Sequence, residues 1–263
     1  MDEWQPGFLQ ASPLFEPLRA VGQTVEKLAR WPTLDDLNAL LSPDIRTRSG
    51  VPVSFVPQGA KPRSMEERYE VRIHHTGEVQ TRTENWHDLF NALVWLAFPR
   101  TKAAINDLHF RAAGGDGNRG ALQDALTLFD ESGVIVAHAG DELAGLLREH
   151  RWLELFWAQR KRVRTRMRFV VFGHSLYEKA LRPYLGLTGK GMAVRVTEDV
   201  LIESRQDPAR CLDGMLAECL GQADWPDCHA LTPVPLLGVP GWWADNETPE
   251  FYRNAAYFRE KRP

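Results

Sequence analysis

The chain has 263 residues, of which 43% are hydrophobic and 25% charged, with a formal net charge of −3. That composition is ordinary for a folded globular protein and excludes a disordered or collagen-like chain. The near balance of charge excludes a wholly basic nucleic-acid coat, though not a local basic patch, and nine Trp and twelve Phe supply the bulk for a sizeable core.

Taken in chain order, Met1 to Gln10 carries Asp2 and Glu3 and lacks the basic and apolar regions of a secretory signal. Helix is predicted around Pro17–Arg30 and again after Pro32, with Thr33 as N-cap before Asp35 and Asp36. Residues 1–50 are read as a helical N-terminal arm. Ser42–Ser64 is rich in Pro and Gly and reads as a long loop or edge strand, with a short Val-rich piece at Val51–Val56. Tyr69–Ile73 alternates apolar and charged residues, and pairing with Val79–Arg82 through Thr76-Gly77 predicts a hairpin. Asn85–Phe98 is predicted as a buried helix, apolar nearly all round after Asn85 as cap and Asp88 in the first turn. Its nearly apolar stretch, Leu89–Phe98, is interrupted by Asn91 and ended by Pro99, at about half the length a membrane span needs. Thr101 is the expected cap of a second helix reaching Ala112, and 114–120 is a Gly/Asp/Asn loop.

Further along, Asp130-Glu131-Ser132-Gly133 suits a turn between two apolar segments. Helices are expected at Asp141–Leu147 and Trp152–Gln159, then a strand at Met167–Phe172 and a helix near Ser175–Leu181. Thr188–Gly191 reads as a loop, Met192–Val196 as a strand and Cys211–Leu220 as a helix. Pro233, Pro235, Pro240 and Pro249 predict an extended tail over residues 231–263, packed on the body. Hairpins mixed with helices, without regular strand–helix alternation, predict an α+β fold in one domain spanning 1–263.

The three cysteines, Cys211, Cys219 and Cys228, are too sparse for a disulfide scaffold. Cys211 and Cys219 lie eight residues apart on one predicted helix, roughly 12 Å at the helical rise. That is too far for two ligands of one tetrahedral zinc, despite His229 beside Cys228. Inert thiols are the expectation, and absence of a signal peptide and of a membrane span predicts a cytoplasmic chain with no membrane partner.

The stretch with most chemistry is Asn85-Trp86-His87-Asp88-Leu89-Phe90-Asn91, followed by Asn106 and His109. On a helix His87 and Asn91 share a face, and Asp88 reaches Asn91; Asn106 and His109 share a face of the next helix. If the helices fold back at Pro99, imidazoles, a carboxylate and amides meet in one pocket, a set suited to a divalent metal or to proton transfer near neutral pH. The structural alternative makes Asn85 a cap, Asp88 a dipole partner and His87 a hydrogen-bond donor to a loop. His174 and Ser175 follow a buried strand and Gly173, a position where ligands and anions bind. Tyr177 replaces the second Gly of a nucleophile elbow, so Ser175 reads as an N-cap. Asp130 and Glu131 are paired acids at a turn that contribute only if it faces the His87 pocket; turn preference alone explains both.

The candidate catalytic residues are therefore His87, Asp88, His109, Asp130 and His174, with His87, Asp88 and His109 as metal ligands. Asn91, Arg100, Asn106 and Lys190 are the candidate substrate-binding residues. Gly189-Lys190-Gly191 is not a phosphate-binding P-loop, since Tyr184 stands where its first Gly is required, and no dinucleotide fingerprint follows a strand. Arg160, Lys161, Arg162, Arg164, Arg166 and Arg168 form one basic cluster. Arg162 to Arg168 would line one face of a strand, either as a phosphate or nucleic-acid contact or as a charged edge that blocks aggregation. Trp242-Trp243 either stack on a ligand or anchor the tail.

Asn85–Lys102 (NWHDLFNALVWLAFPRTK) and Leu231–Trp242 (LTPVPLLGVPGW), with Phe129-Asp130-Glu131 and Phe172-Gly173-His174 between them, resemble a proteobacterial family, domain of unknown function 3025, from about residue 30 onward. The resemblance implies a bacterial, cytoplasmic, single-domain protein and no particular activity. Three functions stay open: a hydrolytic, metal-assisted enzyme acting on a small molecule, a phosphate-ligand or nucleic-acid binding module, and a protein-interaction subunit. Neither the metal nor the oligomeric state is fixed by the sequence.

Overall fold

A computed structural model of the chain describes residues 3–60, 68–113, 120–222 and 231–261. The expected loop at 114–120 lies almost wholly outside the described residues, as do Cys228 and His229. Among the described residues no helix is long and apolar enough to cross a membrane.

The fold is α+β. A four-stranded sheet has the order β4 (Met167–Val171), β3 (Gly133–His138), β5 (Thr188–Arg195), β6 (Thr232–Pro235). Its central β3 runs antiparallel to β4 and parallel to β5, while β5 and β6 are antiparallel. Every residue of β3 is buried, as a strand covered on both faces requires. Short β1 (Ser54–Pro57) and β2 (Glu78–Thr81) pair in parallel as a separate ribbon.

The N-terminal residues build part of the same core: Phe8, Leu9, Leu14, Phe15 and Leu18 are all buried. The expected continuous helix over Pro17–Arg30 is instead a 3-10 turn at Pro13–Leu18, α1 (Arg19–Gly22) and a second 3-10 turn at Val25–Lys27. Pro13 and Pro17 lack the amide protons that a regular α-helix uses. Helix α2 (Leu34–Asn38) starts as expected, with Thr33 accepting from the Asp36 amide in a capping box.

Tyr69–Thr76 forms helix α3, not a hairpin strand. Gly77, at φ 71°, is its left-handed C-cap, donating its amide to the Ile73 carbonyl. The alternating Tyr69, Val71 and Ile73 therefore point inward because of tertiary packing, and His74 stacks on Phe110 at 3.7 Å between ring centroids.

Helices α4 (Trp86–Ala97) and α5 (Pro99–Ala113) follow without a loop. Asn85 caps α4, its Oδ1 accepting from the Asp88 amide at 3.0 Å. The start of α5 is capped from a distant helix rather than by Thr101. Asp213, on α11 (Pro208–Gln222), accepts the amides of Arg100 at 3.0 Å and Thr101 at 2.8 Å. Cys211 and Cys219 lie on the same helix as half-buried free thiols, pushed up in pKa by that burial.

Helix α6 (Ala121–Ser132) runs through Asp130, Glu131 and Ser132 and passes straight into β3, replacing the expected turn. Helix α7 (Asp141–Arg148) and a π-helical turn at Leu153–Ala158 precede α8 (Arg160–Arg166). The basic cluster is thus mostly helical, and only Arg168 lies in β4. After α9 (His174–Ala180), the expected loop at Thr188–Gly191 is the first half of β5. A Cβ on Gly189 would meet Val134 Cγ2 at 2.3 Å, and one on Gly191 would meet Val234 Cγ2 at 2.6 Å. These glycines serve close strand packing, not flexibility. Helix α10 (Glu198–Glu203) leads to α11. Beyond residue 231 the chain forms β6 and three 3-10 turns, with Tyr252, Tyr257 and Phe258 buried. Trp242 and Trp243 are half-buried against the core.

One close approach governs the layout. Gly173, between β4 and α9, lies against the junction of α6 and β3. A Cβ there would sit 2.4 Å from the Gly133 nitrogen and 2.5 Å from the Ser132 nitrogen. Gly173→Ala is therefore expected to lower stability by about 1–3 kcal/mol, as overpacking against rigid backbone does, read as a reduced midpoint in denaturant unfolding. An unchanged midpoint would show that the junction has room to spare.

Candidate metal centre

Two helices bring two histidines together through a repeating register. Phe90 of α4 stacks on Tyr177 of α9, with ring centroids 5.7 Å apart, and Phe15 stacks on both. One turn earlier on each helix, at three residues' spacing, stand His87 and His174. Their ring centroids are 4.6 Å apart and their Nε2 atoms 3.1 Å apart. At the N-terminal end Trp86 packs with Trp4 at 5.2 Å and Trp31 at 4.8 Å, so an aromatic cluster fixes the helix that carries His87.

Glu131 completes the group. The Gly173 contact sets the start of α9 against the end of α6, and Glu131 Oε1 lies 3.9 Å from His87 Nε2 and 3.6 Å from His174 Nε2. A circle through these three atoms has a radius of about 2.1 Å, the length of a zinc–nitrogen or zinc–oxygen bond. His87, Glu131 and His174 could thus hold one metal ion. Three donors of a tetrahedral site with bonds of that length would have edges of about 3.4 Å, which the observed 3.1, 3.6 and 3.9 Å bracket.

The outer ring nitrogens are backed by carboxylates. His87 Nδ1 lies 3.2 Å from Glu178 Oε2. His174 Nδ1 faces Asp130 Oδ2 at 3.8 Å and is buried with no hydrogen-bond partner. A carboxylate bonded to the outer nitrogen, as Glu178 is to His87, favours the proton there and leaves Nε2 as a ligand, while Asp130 is the charge that faces His174 Nδ1. Asp130 is in turn gripped by Lys102, which is 4% exposed: Nζ donates to its two oxygens at 2.7 and 2.8 Å and to Asn91 Oδ1 at 2.9 Å. Burial pushes the Asp130 carboxyl up, but the charges of Lys102, His174 and His109 outweigh it and hold the group below its ordinary range. Glu131 is likewise raised by burial and lowered further by hydrogen bonding and charge from His174 and by the charge of His87.

A cavity of about 500 Å³ opens onto this cluster, within the range of small-molecule sites. Of the candidates named from sequence, His87, Asp88, Asn91, His109, Asp130 and His174 all line it. Asp88 does not join the metal-binding group. Its carboxylate takes the Arg82 amide at 2.7 Å and the Arg82 guanidinium at 2.9 and 2.8 Å, and it does not bond Asn91. Burial raises the Asp88 pKa, but that grip lowers it overall. His109 lines the wall without being part of the ligand set. Asn106 sits behind the wall, donating to the Glu70 carbonyl at 2.8 Å and its carboxylate at 2.7 Å. Arg100 and Lys190 lie elsewhere, Arg100 beside Gly214 and Lys190 within β5 opposite Pro233. Lys102, Tyr69 and Glu178 escaped the sequence reading, and Glu131 entered it only conditionally, paired with Asp130.

The basic cluster is not an open cationic face. Arg160 and Arg164 pair with Glu247, Arg162 with Glu142, Arg166 with Glu198 and Arg168 with Glu16.

The family model described as "Protein of unknown function (DUF3025)" matches residues 53–262, and the chain belongs to that family. No curated protein and no solved structure matches the chain.

Lys102→Met leaves Asp130 buried without its cation and is expected to cost about 3–5 kcal/mol, measured by chemical denaturation. Asp130 and Glu131 have folded pKa values below their unfolded ones. Their stabilisation is therefore present above the ordinary carboxylate range near ~4 and is lost as pH falls through the lower folded values. Stability in Lys102→Met should fall less steeply with acid, because Asp130 then gains nothing from ionising. An acid profile parallel to wild type would contradict this assignment.

Proposed function

We propose that the protein is a metal-dependent hydrolase acting on a small polar substrate, with a divalent cation, zinc by preference, held by His87, His174 and Glu131. The observation that carries this reading is that three donor atoms, from three separate helices, lie on one circle of bond-length radius at the wall of a cavity. Two imidazoles and a carboxylate are a ligand set used in zinc hydrolases, leaving a fourth position for water.

A cation held there would supply a water of lowered pKa as the nucleophile. The chain's own residues hold that arrangement. Glu178 orients His87, and Asp130, anchored by Lys102, orients His174. Hydrolysis there would break the bond between the electrophilic centre and the leaving group, the hydroxyl of the water going to the first and its proton to the second. The competing nucleic-acid reading draws less support, because Arg160, Arg162, Arg164, Arg166 and Arg168 are each taken by a carboxylate.

Elemental analysis of the untagged full-length protein, purified without chelators and then offered zinc, tests the proposal. The expected outcome is stoichiometric metal in wild type and loss of it in His87→Ala and Glu131→Ala that keep their circular dichroism. Failure of the wild type to retain any divalent metal would end it. Asp130→Asn should retain the site but weaken zinc affinity about 10–100-fold, measured by competition with a chromogenic chelator.

A further inference from the structure

The substrate class for this cavity follows from which of its polar groups are already committed, an argument that rests on the hydrolase reading only for the word substrate. Begin with Lys102, an ammonium that can only donate. It donates to Asn91 Oδ1, so the Asn91 amide must turn its Nδ2 outward, and Nδ2 donates to the Tyr69 hydroxyl at 2.9 Å. The Tyr69 oxygen is therefore an acceptor in that bond, and its single proton has to go elsewhere. Among the described residues no acceptor takes it, and Tyr69 lines the cavity. Burial also pushes the Tyr69 pKa well above its ordinary value, keeping the proton in place.

The cavity's carboxylates tell the complementary story. Glu70 is bonded to Asn106, Asp88 to Arg82 and Asp130 to Lys102, while Glu131 faces the two histidines. Asp88 and Asp130 are thus matched by cations from within the protein, Glu131 lies against the two histidines, and Glu70 is held by a neutral amide. Arg68, next to Tyr69, lines the same cavity, is exposed, and pairs with no carboxylate among the described residues. His109 is 6% exposed, lines the cavity and makes no hydrogen bond among the described residues. Three groups of the wall can therefore each donate to a ligand: a phenol, a guanidinium and an imidazole.

We infer that the cavity binds a substrate through an anionic oxygen group, a phosphate or a carboxylate, received by Tyr69 Oη, Arg68 and His109 beside the His87–His174–Glu131 cluster. A guanidinium fork presents paired donors to such a group, and charge-assisted bonds of this kind are the strong ones. A cationic ligand would be repelled by Arg68, and a neutral oxygen would take the same donors without the added attraction of charge.

The test is calorimetric titration of full-length, chelator-treated protein with inorganic phosphate and, in a second arm, with succinate. Removing the metal separates this site from direct anion binding to a cation. Saturable binding of phosphate, of succinate or of both is expected, and the tighter arm identifies the group. Tyr69→Phe and Arg68→Ala should each weaken it about tenfold, the worth of one hydrogen bond to a charged group. Arg162→Ala, in the paired basic cluster, should leave it unchanged. Tyr69→Phe removes one oxygen, so a folded variant is available even if a larger change misfolds. Binding of neither anion, or binding that Arg162→Ala removes while Tyr69→Phe and Arg68→Ala leave it intact, would overturn the inference. Phosphate binding in a protein that never takes up metal would retain the anion site and discard the hydrolase.

Discussion

An ammonium group almost completely withdrawn from water organises the centre of this molecule. Lys102 Nζ is tolerable there only because each of its three protons has an acceptor: two oxygens of Asp130 and the Asn91 carbonyl. Its aliphatic stem and charge also lie over the Trp95 ring, 5.5 Å from its centroid. Because an ammonium only donates, it fixes the direction of everything attached to it. Asp130 stays ionised beneath His174, and Asn91 is turned so that Tyr69 must face its proton to the cavity. One buried cation thus orders both halves of the candidate site, the metal side and the donor side.

The two histidines depend on a second constraint, the packing of α4 on α9. The stacking of Phe90 on Tyr177 and the edge-to-face contact of His87 with His174 are successive turns of one interface, so hydrophobic packing of the two helices helps to place the imidazoles. Two Nε2 atoms 3.1 Å apart share one proton or one metal. The adjoining Glu131, held below its ordinary pKa, favours positive charge between them. Gly173 lets a third helix end reach the same corner, at backbone distances that no side chain would allow.

Much of this was legible locally. The α4 boundaries followed from Asn85, the apolar run and Pro99, since caps and breakers act within a turn of their own position. His87 and His174 stood out because each interrupts or follows a buried segment. Their meeting was not legible, since it depends on helix register across 87 residues of sequence. Asp130-Glu131-Ser132-Gly133 has turn chemistry, and only packing of Phe129 and Gly133 continues α6 straight into β3. Tyr69–Ile73 alternates like a strand, yet Gly77 acts as a helix cap. Asp88 misled as a ligand because the Arg82 that occupies it lies on the preceding segment, beyond reach of helix-face arguments. Membership of the uncharacterised family fixes relationship, while the chemistry has to come from the site.

The most direct test of the account is X-ray absorption fine structure at the metal edge of the zinc-loaded full-length protein. The account predicts a first shell of nitrogen and oxygen only, at about 2.0–2.1 Å, with the outer-shell scattering of two imidazoles. A sulfur shell near ~2.3 Å, or the absence of paired imidazole scattering, would place the metal on other residues and contradict the His87–His174–Glu131 centre.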